Sequence, residues 1–586
     1  MPHALSVVVG LQTLFAASAL WFGFVRGLRL VDFQVAQPPP LPKNAQQCTT
    51  RILEYVTFVF FPSSSNEGFS SRPPTDCGEP GSWAGISLNF TVTSNGTQFD
   101  RLGIFTFQNV EIWRTSTPEP TSGDGIIWQY LKDVTRFLPL FAKPGTFILQ
   151  LDNLIQTGLN GEYATILDAT FFASSSENPP APRADLIVPI TTLANNTGND
   201  ASVPPGFSLN ITLPRNAVTA YVEMQASGNG NEEFWYFNAP NQFLNLLPNG
   251  FTFGNGPFRE VRFLVDGIVA GVAFPYAVIF TGGIVPTAWR PITSYGAIDL
   301  PTYHFDLTPF IPILTDGHLH NITLDVASAE ASHSINQNWF VSGLLQVQLD
   351  SSDKPTTGSI TVYQAGDFAT PSSTGGQQGN DVTFTVAATR SIHIESEIIA
   401  GSGTTTTVVL DQKLVYSNTQ TYLNNFNVQL VNQSSSGTTL STHNGRTVLQ
   451  DKFDFPFFIN VTTLNANGSD FVGLFDHGYD RELLPAPFIL GSTIGEHQVS
   501  SGAFAIRSTG NIGSNGTSDN TFSYSDTAGN TFRQTVSAHS NVITQNIQGG
   551  SLAPSPLPDP VVPGATPAPT LNVMAKARLP GGRNLG

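Results

Sequence analysis

The sequence predicts an all-β protein: two adjacent jelly-roll-like β-sandwich domains plus a C-terminal β-rich region. Three observations carry this. No stretch sustains a helical period, whereas short segments alternating apolar and polar residues recur throughout, bounded by Gly, Pro, Asn and Asp. Aromatic residues make up 11% of the chain, 43 Phe among them, against 12% charged, a balance that suits pleated sheets better than solvated helices. At 586 residues the chain exceeds one ordinary core, so about three domains are expected.

The elements follow in order. Residues 1–25 are mostly apolar, and Ala17-Ser18-Ala19 has the small-x-small form of a signal peptidase site. The basic leading segment is missing, so the stretch reads as a signal peptide or a signal anchor. Residues 26–47 are a Pro-containing connector. The first sandwich spans 45–175, with strand patterns at Arg51–Phe61, Ile86–Thr93, Gln98–Phe107, Val110–Arg114, Thr146–Asp152 and Ala164–Ala173. Asp133-Val134-Thr135 reads as the entry to a short turn. The polar, Pro-rich SSSENPPAPR at 174–183 is a boundary. The second sandwich spans 184–350. Within it Asp266-Gly267 is a tight hairpin turn between alternating segments, and Asp316-Gly317 is a second such turn. The third region, 358–545, is rich in Ser, Thr, Asn and Gly with β alternation. The tail, 549–586, is Pro-rich and too poor in apolar residues to bury a core, so disorder is expected.

The formal net charge of −17 argues against nucleic acid, which needs basic patches. Membrane association is expected only if the N-terminal segment is an uncleaved anchor. Cys48 and Cys77 read as one disulfide of a secreted chain; free thiols or half of a metal site are the alternatives. Nine N-x-Ser/Thr sequons point to the secretory route: Asn89, Asn95, Asn195, Asn210, Asn321, Asn432, Asn460, Asn467 and Asn515. In LNFTV, Leu88, Phe90 and Val92 face inward while Asn89 faces out. The same alternation surrounds Asn210 and Asn321.

No G-x-S-x-G elbow and no H-E-x-x-H helix is present. His318 and His320 share a strand face but lack an obvious third ligand, so no metal site is expected. Carboxylates remain. Asp100 stands at the head of a strand pattern that is apolar on both faces. A charge there is costly to desolvate unless it lines a polar cleft or has a partner. Glu232 and Glu233 precede Phe234-Trp235-Tyr236. On a strand they point oppositely, so at most one enters a given cleft. Asp299, Asp306 and Trp289 are left without a role.

The stretch QFDRLGIFTFQNVEIWRTSTPEPTSGDGIIWQYLKDVTRF, with NEEFWYFNAP, FREVRFLVDG and FPYAVIFTGGIVPTAWRPITSYGAIDLPTYHFDLTPF, resembles the peptide-N-glycosidase A family. The likeness covers most of 45–350 and fades towards about residue 540. It implies hydrolysis of the amide bond between asparagine and the first N-acetylglucosamine of an N-glycan, on N-glycosylated peptides or glycoproteins and without a cofactor. The Phe-Asp-Arg motif, the later Asp-Val-Thr and the segment ending Glu-Phe are also similar to bacterial peptide-N-glycosidase F, an enzyme of two adjacent jelly rolls. Carried over, that likeness makes Asp100 the principal catalytic carboxylate and Glu233 its assistant. Glu232 remains as the alternative within the pair, and Glu119 is a weak match for a third carboxylate. Trp235 and Trp128 are expected to stack on N-acetylglucosamine, with a core role the alternative for Trp128. Arg101 is expected to orient a neighbouring loop or carboxylate. The rival readings are a non-catalytic glycan-binding protein, a structural secreted protein, or a glycosidase using the same carboxylates.

Overall fold

The structure is a computed structural model, and it describes residues 30–56, 67–120, 124–192, 201–465, 468–507, 511–513 and 516–554. The N-terminal segment 1–25, the sequons Asn195, Asn467 and Asn515, and the tail from residue 555 lie outside these. The described chain is all-β, in five sheets. In the first sandwich, a five-stranded sheet runs in the order Val31–Phe33, Ile126–Asp133, Gly85–Asn95, Glu162–Phe172, Gln47–Val56. It faces a four-stranded sheet ordered Glu67–Ser71, Gly145–Leu151, Leu102–Phe107, Val110–Ser116. Apolar faces that alternate in sequence meet between the layers: Phe90 meets Phe105 edge-on at 4.9 Å, and Phe105 stacks on Trp113 at 4.7 Å. Cys48 and Cys77 form a disulfide with Cα atoms 5.8 Å apart. At the expected turn Asp133 Oδ1 accepts from the Thr135 amide at 2.8 Å, an Asx-type turn, and two short helical turns, Thr135–Phe137 and Leu138–Phe141, follow.

The second sandwich pairs a sheet of Leu186–Ile190, Asn338–Leu349, Ala217–Asn229 and Tyr303–Asp306, with Ala201–Val203 beside it, against Phe207–Ile211, His320–Ala327, Glu260–Val265 and Ile268–Ala273. Asp266 and Gly267 both have positive φ, +50° and +83°, the backbone of a two-residue hairpin between paired strands. Asp316-Gly317 differs from expectation. It closes a helical turn at Ile311–Leu314 instead of joining two strands, because the apolar run PFIPIL buries Ile311 and Leu314 as one helical face.

The third region is one antiparallel sheet of twelve strands, from Thr357–Ala365 to Val542–Gly549. Strand Asp381–Ile399 alternates buried and non-buried residues over nineteen positions. Its inward side chains, Val386, Ala388, Ile392 and Ile394, join the core of the second sandwich. The outer face is laddered by threonines, such as Thr385 against Thr419 at 2.8 Å. Part of the connector 26–47 and the first residues of the tail, Gly549–Leu552, are woven into this body. Val31–Phe33 is a parallel strand, and the Gln34 amide donates to Pro291 O at 2.7 Å. Strand Val542–Gly549 completes the large sheet, and Leu552, 3% exposed, packs with Phe522 and Phe532. No described helix is long and apolar enough to cross a membrane.

The two sandwiches are joined by buried charge. Strand Val110–Ser116 is buried along its whole length, although its sequence is VEIWRTS. Arg114 binds Glu111 through two 2.8 Å hydrogen bonds and reaches across to Phe340 O at 2.7 Å. Arg136 grips Glu223 at 2.6 and 2.8 Å. Burial alone raises the Glu223 carboxyl, but the Arg136 and His304 charges outweigh it and hold it at about 2. Its stabilising share is therefore present above the ordinary glutamate value and is lost as pH falls through about 2. Arg136→Met is expected to cost about 3–5 kcal/mol by leaving Glu223 buried without a partner. Chemical denaturation at neutral pH checks this; a loss under about 1 kcal/mol would show the pair to be dispensable.

Candidate active site

The register of one hairpin creates the centre of the site. Leu102 pairs with Ser116, and the Thr117 amide continues the ladder to Arg101 O at 3.1 Å. Asp100 and Glu119 therefore leave the same sheet edge side by side, one on each strand. The regular strand begins at Leu102, so Asp100 sits just ahead of it and not within it. Tyr163 ties the two arms together: its hydroxyl accepts from Thr117 Oγ1 at 2.9 Å and donates to Phe99 O at 3.0 Å. Thr117 Oγ1 also accepts from the Arg101 amide at 2.9 Å.

The second sandwich contributes the irregular segment from Phe280 to Arg290. The Gly282 amide donates to Asp100 Oδ2 at 3.2 Å. Thr281 Oγ1 accepts from the Glu119 amide at 3.1 Å and donates to Thr117 O at 3.0 Å. Arg290 Nη2 donates to Glu119 O at 3.0 Å and lies 3.6 Å from its Oε2. This segment is held from behind by the C-terminal sheet: Trp289 packs on Phe475 with centroids 4.8 Å apart, and its indole N–H donates to Gly283 O at 3.0 Å. All three parts of the fold thus fix the position of one pair of carboxyl groups.

Glu119 is 3% exposed. Burial first, then the Asp100 charge, pushes its carboxyl up to about 8; Arg290 and the Asp100 amide oppose the shift, and Glu233 adds to it. Around neutral pH Glu119 is consequently a carboxylic acid, an O–H donor facing an acidic neighbour. Gly282 is required for space: a Cβ there would overlap the Glu119 carboxyl group and come within 3.1 Å of Asp100 Oδ1. Gly282→Ala is expected to lower kcat by at least about 10²-fold through displacement of both groups, with little change in thermal midpoint. Steady-state kinetics beside a melting curve checks this, and an unaltered kcat would remove Gly282 from the site.

The other expected residues divide. Glu232 and Glu233 lie at the end of a helical turn, Gly230–Glu232, rather than on a strand. They still diverge, and only Glu233 bears electrostatically on Glu119. Glu232 is fully buried and is not brought to the pair. Its oxygens take Arg259 at 2.5 and 2.7 Å, Trp339 Nε1 at 2.8 Å and the Asn336 amide at 2.8 Å, which occupies them in holding the core together. Trp128 lies wholly in the first core, edge-on to Tyr163 at 6.0 Å. Trp235, 3% exposed, is enclosed by Trp339, Tyr236 and Tyr416. Neither offers a ring face for a sugar. Arg101 binds Gln98 Oε1 at 2.5 Å and lies over the Phe99 ring. His320 is held by Asp266 at 2.7 Å and Asp316 at 3.0 Å; no group of three or more metal-ligating side chains occurs among the described residues.

Thr281, Gly282, Arg290 and Tyr163 were not singled out from the sequence. Arg290 directly follows Trp289 within the family-like run, but nothing local marks it as a partner of a residue so far back in the chain.

The chain is similar to proteins of known family. The family model "Peptide N-acetyl-beta-D-glucosaminyl asparaginase amidase A" matches residues 38–366, and "PNGase_A C-terminal domain" matches 383–457. A protein of Prunus dulcis, peptide-N4-(N-acetyl-beta-glucosaminyl)asparagine amidase A, is 32% identical over 419 residues, which is 69% of this chain and 71% of that protein. A crystal structure titled as a peptide-N(4)-(N-acetyl-beta-D-glucosaminyl) asparagine amidase aligns with 53% of this chain and 97% of its own, at 13% identity and a TM-score of 0.33. The family match spans more than half of the chain and contains every residue of the carboxyl cluster, so the chain belongs to the peptide-N-glycosidase A family of amidases.

Proposed function

We propose that this protein hydrolyses the amide bond joining asparagine to the first N-acetylglucosamine of an N-glycan, and that it does so in the secretory route or outside the cell. One observation carries the reaction: Glu119, buried beside Asp100 at the seam of the two sandwiches so that its carboxyl is pushed up to about 8, with Glu233 as the third acidic group. Amide hydrolysis needs a base for the attacking water and an acid for the departing nitrogen. Asp100, oriented by the Gly282 amide, takes a proton from water as its oxygen bonds to the amide carbon. Glu119 delivers its proton to the nitrogen, the C–N bond breaks, and the glycan leaves as a glycosylamine while the asparagine becomes aspartate. Arg290 holds Glu119 in place through its main-chain oxygen and tempers the rise of its pKa. Secretion is supported by the disulfide and by sequons on solvent-facing strand positions, such as Asn210, which is exposed and flanked across the strands by Asn321.

A denatured glycopeptide, incubated with the protein in heavy-oxygen water and analysed by mass spectrometry, tests this. The expected product is a peptide whose asparagine has become aspartate with one heavy oxygen, together with an intact glycan. A peptide that keeps one N-acetylglucosamine on unchanged asparagine would make the protein a glycosidase. No release at any pH would make it a binding or structural protein.

A further inference from the structure

We propose that the cleft where the two sandwiches and the C-terminal sheet meet is a second carbohydrate site, which seats a neutral pyranose from an arm of the N-glycan being cleaved. This rests on the amidase reading above. The cleft encloses about 220 Å³ and is roofed by Pro38–Leu41 of the N-terminal segment. Each layer supplies part of it: Tyr130 and Lys132 from the first sandwich, Tyr295 and Asp299 from the second, Tyr479 and Arg481 from the large sheet.

The charges argue against an anion. Lys132 is bound to Asp299 at 2.6 Å, Arg136 to Glu223 at 2.6 Å and Arg481 to Asp451 at 2.6 Å. Every cation at the wall is matched by a carboxylate, with Asp133 in addition at the lip, so the cleft has no net positive field. Such fixed pairs suit hydroxyl groups, which donate to carboxylates and accept from cations at the same time. Asp299 accepts from Lys132 and from the Tyr130 hydroxyl at 2.8 Å and keeps further lone pairs; Lys132 has three protons and Asp299 takes one. The aromatic walls argue for a sugar. Tyr295, partly exposed, is the ring a sugar's C–H face can meet; Tyr479, itself buried, backs it at 4.8 Å and fixes its tilt. One irregular segment links the two sites, since Arg290 lies at the catalytic pair and Tyr295 in the cleft. Five residues span at most about 18 Å, within reach of a branched glycan arm.

Two glycopeptides with the same peptide distinguish the outcomes, one bearing a complete neutral biantennary glycan and the other only the two proximal N-acetylglucosamines. Leu490→Trp fills the cleft from a position 37% exposed at its rim, and Lys132→Met removes a polar contact while keeping the aliphatic stem. Each variant is expected to raise KM about tenfold for the complete glycan, with kcat and the trimmed substrate unchanged. Equal effects on both substrates, or none on either, would overturn the site. Titration with the free reduced glycan, which has no amide to cleave, reads the site without catalysis. Binding by the wild type that Leu490→Trp weakens about tenfold supports the site even if no glycopeptide is cleaved, in which case only the amidase reading falls. Cleavage with no detectable weakening removes the site and leaves the amidase.

Discussion

Replacing Asp100 by asparagine is expected to reduce glycan release about 10³-fold while glycopeptide binding and stability stay near wild type. The amide keeps the volume of the carboxylate and an oxygen to accept from the Gly282 N–H, so the local geometry has no reason to change. What disappears is the group that takes a proton from water. A second readout separates this from a merely structural role. The Asp100 charge is one of the causes that raise Glu119, so its removal is expected to lower the Glu119 pKa from about 8. Titration of the Glu119 carboxyl by infrared or carbon NMR, in Asp100→Asn against wild type, checks the coupling. Full activity in the variant would end the proposed mechanism. An unmoved Glu119 would show the two groups to be independent.

The parts of this fold that the sequence reveals are those set by local physics. Alternation in LNFTV around Asn89, and in the strand from His320 to Ala327, follows from one buried face, and the turn at Asp266-Gly267 follows from two residues that tolerate positive φ. Alternation does not say which strand pairs with which. The third region could thus be read as β-rich, but its continuity as one twelve-stranded sheet folded onto the second sandwich could not. The site divides along the same line. Asp100 is legible because a carboxylate heading a two-sided apolar strand needs a reason. Glu119 becomes its neighbour only through the register that sets Leu102 opposite Ser116. Gly282 and Arg290 arrive through tertiary packing, and no periodicity in the chain encodes it. Glu232 and Glu233 look equivalent in sequence; Arg259 and Trp339, both distant in the chain, decide which of them is spent on the core.

Replacing Glu119 by glutamine is expected to move activity and stability in opposite directions. Between 4.5, the ordinary glutamate value, and about 8, the folded protein holds a proton at Glu119 that the unfolded chain has released. Folded stability therefore falls as pH rises through that window, at a limiting slope of about 1.4 kcal/mol per pH unit. Glutamine does not titrate, so this dependence vanishes in the variant. Below pH 4.5 the two proteins should unfold alike, since Glu119 is neutral in both states; by pH 9 the variant should be the more stable by several kcal/mol. Arg290 keeps its hydrogen bond to the main-chain oxygen of residue 119, and its 3.6 Å contact with Oε2 is already part of the balance that leaves the carboxyl at about 8. Glycan release, by contrast, should fall by about 10²–10³-fold, for an amide has no proton to give the departing nitrogen. The alkaline limb of the wild-type pH–rate profile, expected near pH 8, should disappear with it. Urea denaturation of both proteins at pH 4, 7 and 9, with rates measured alongside, checks both halves. Parallel stability curves would mean that Glu119 ionises normally and cannot be the acid. Diverging curves with unimpaired release would mean that the buried proton is real and that catalysis draws its proton from elsewhere, with Glu233 the next group to test.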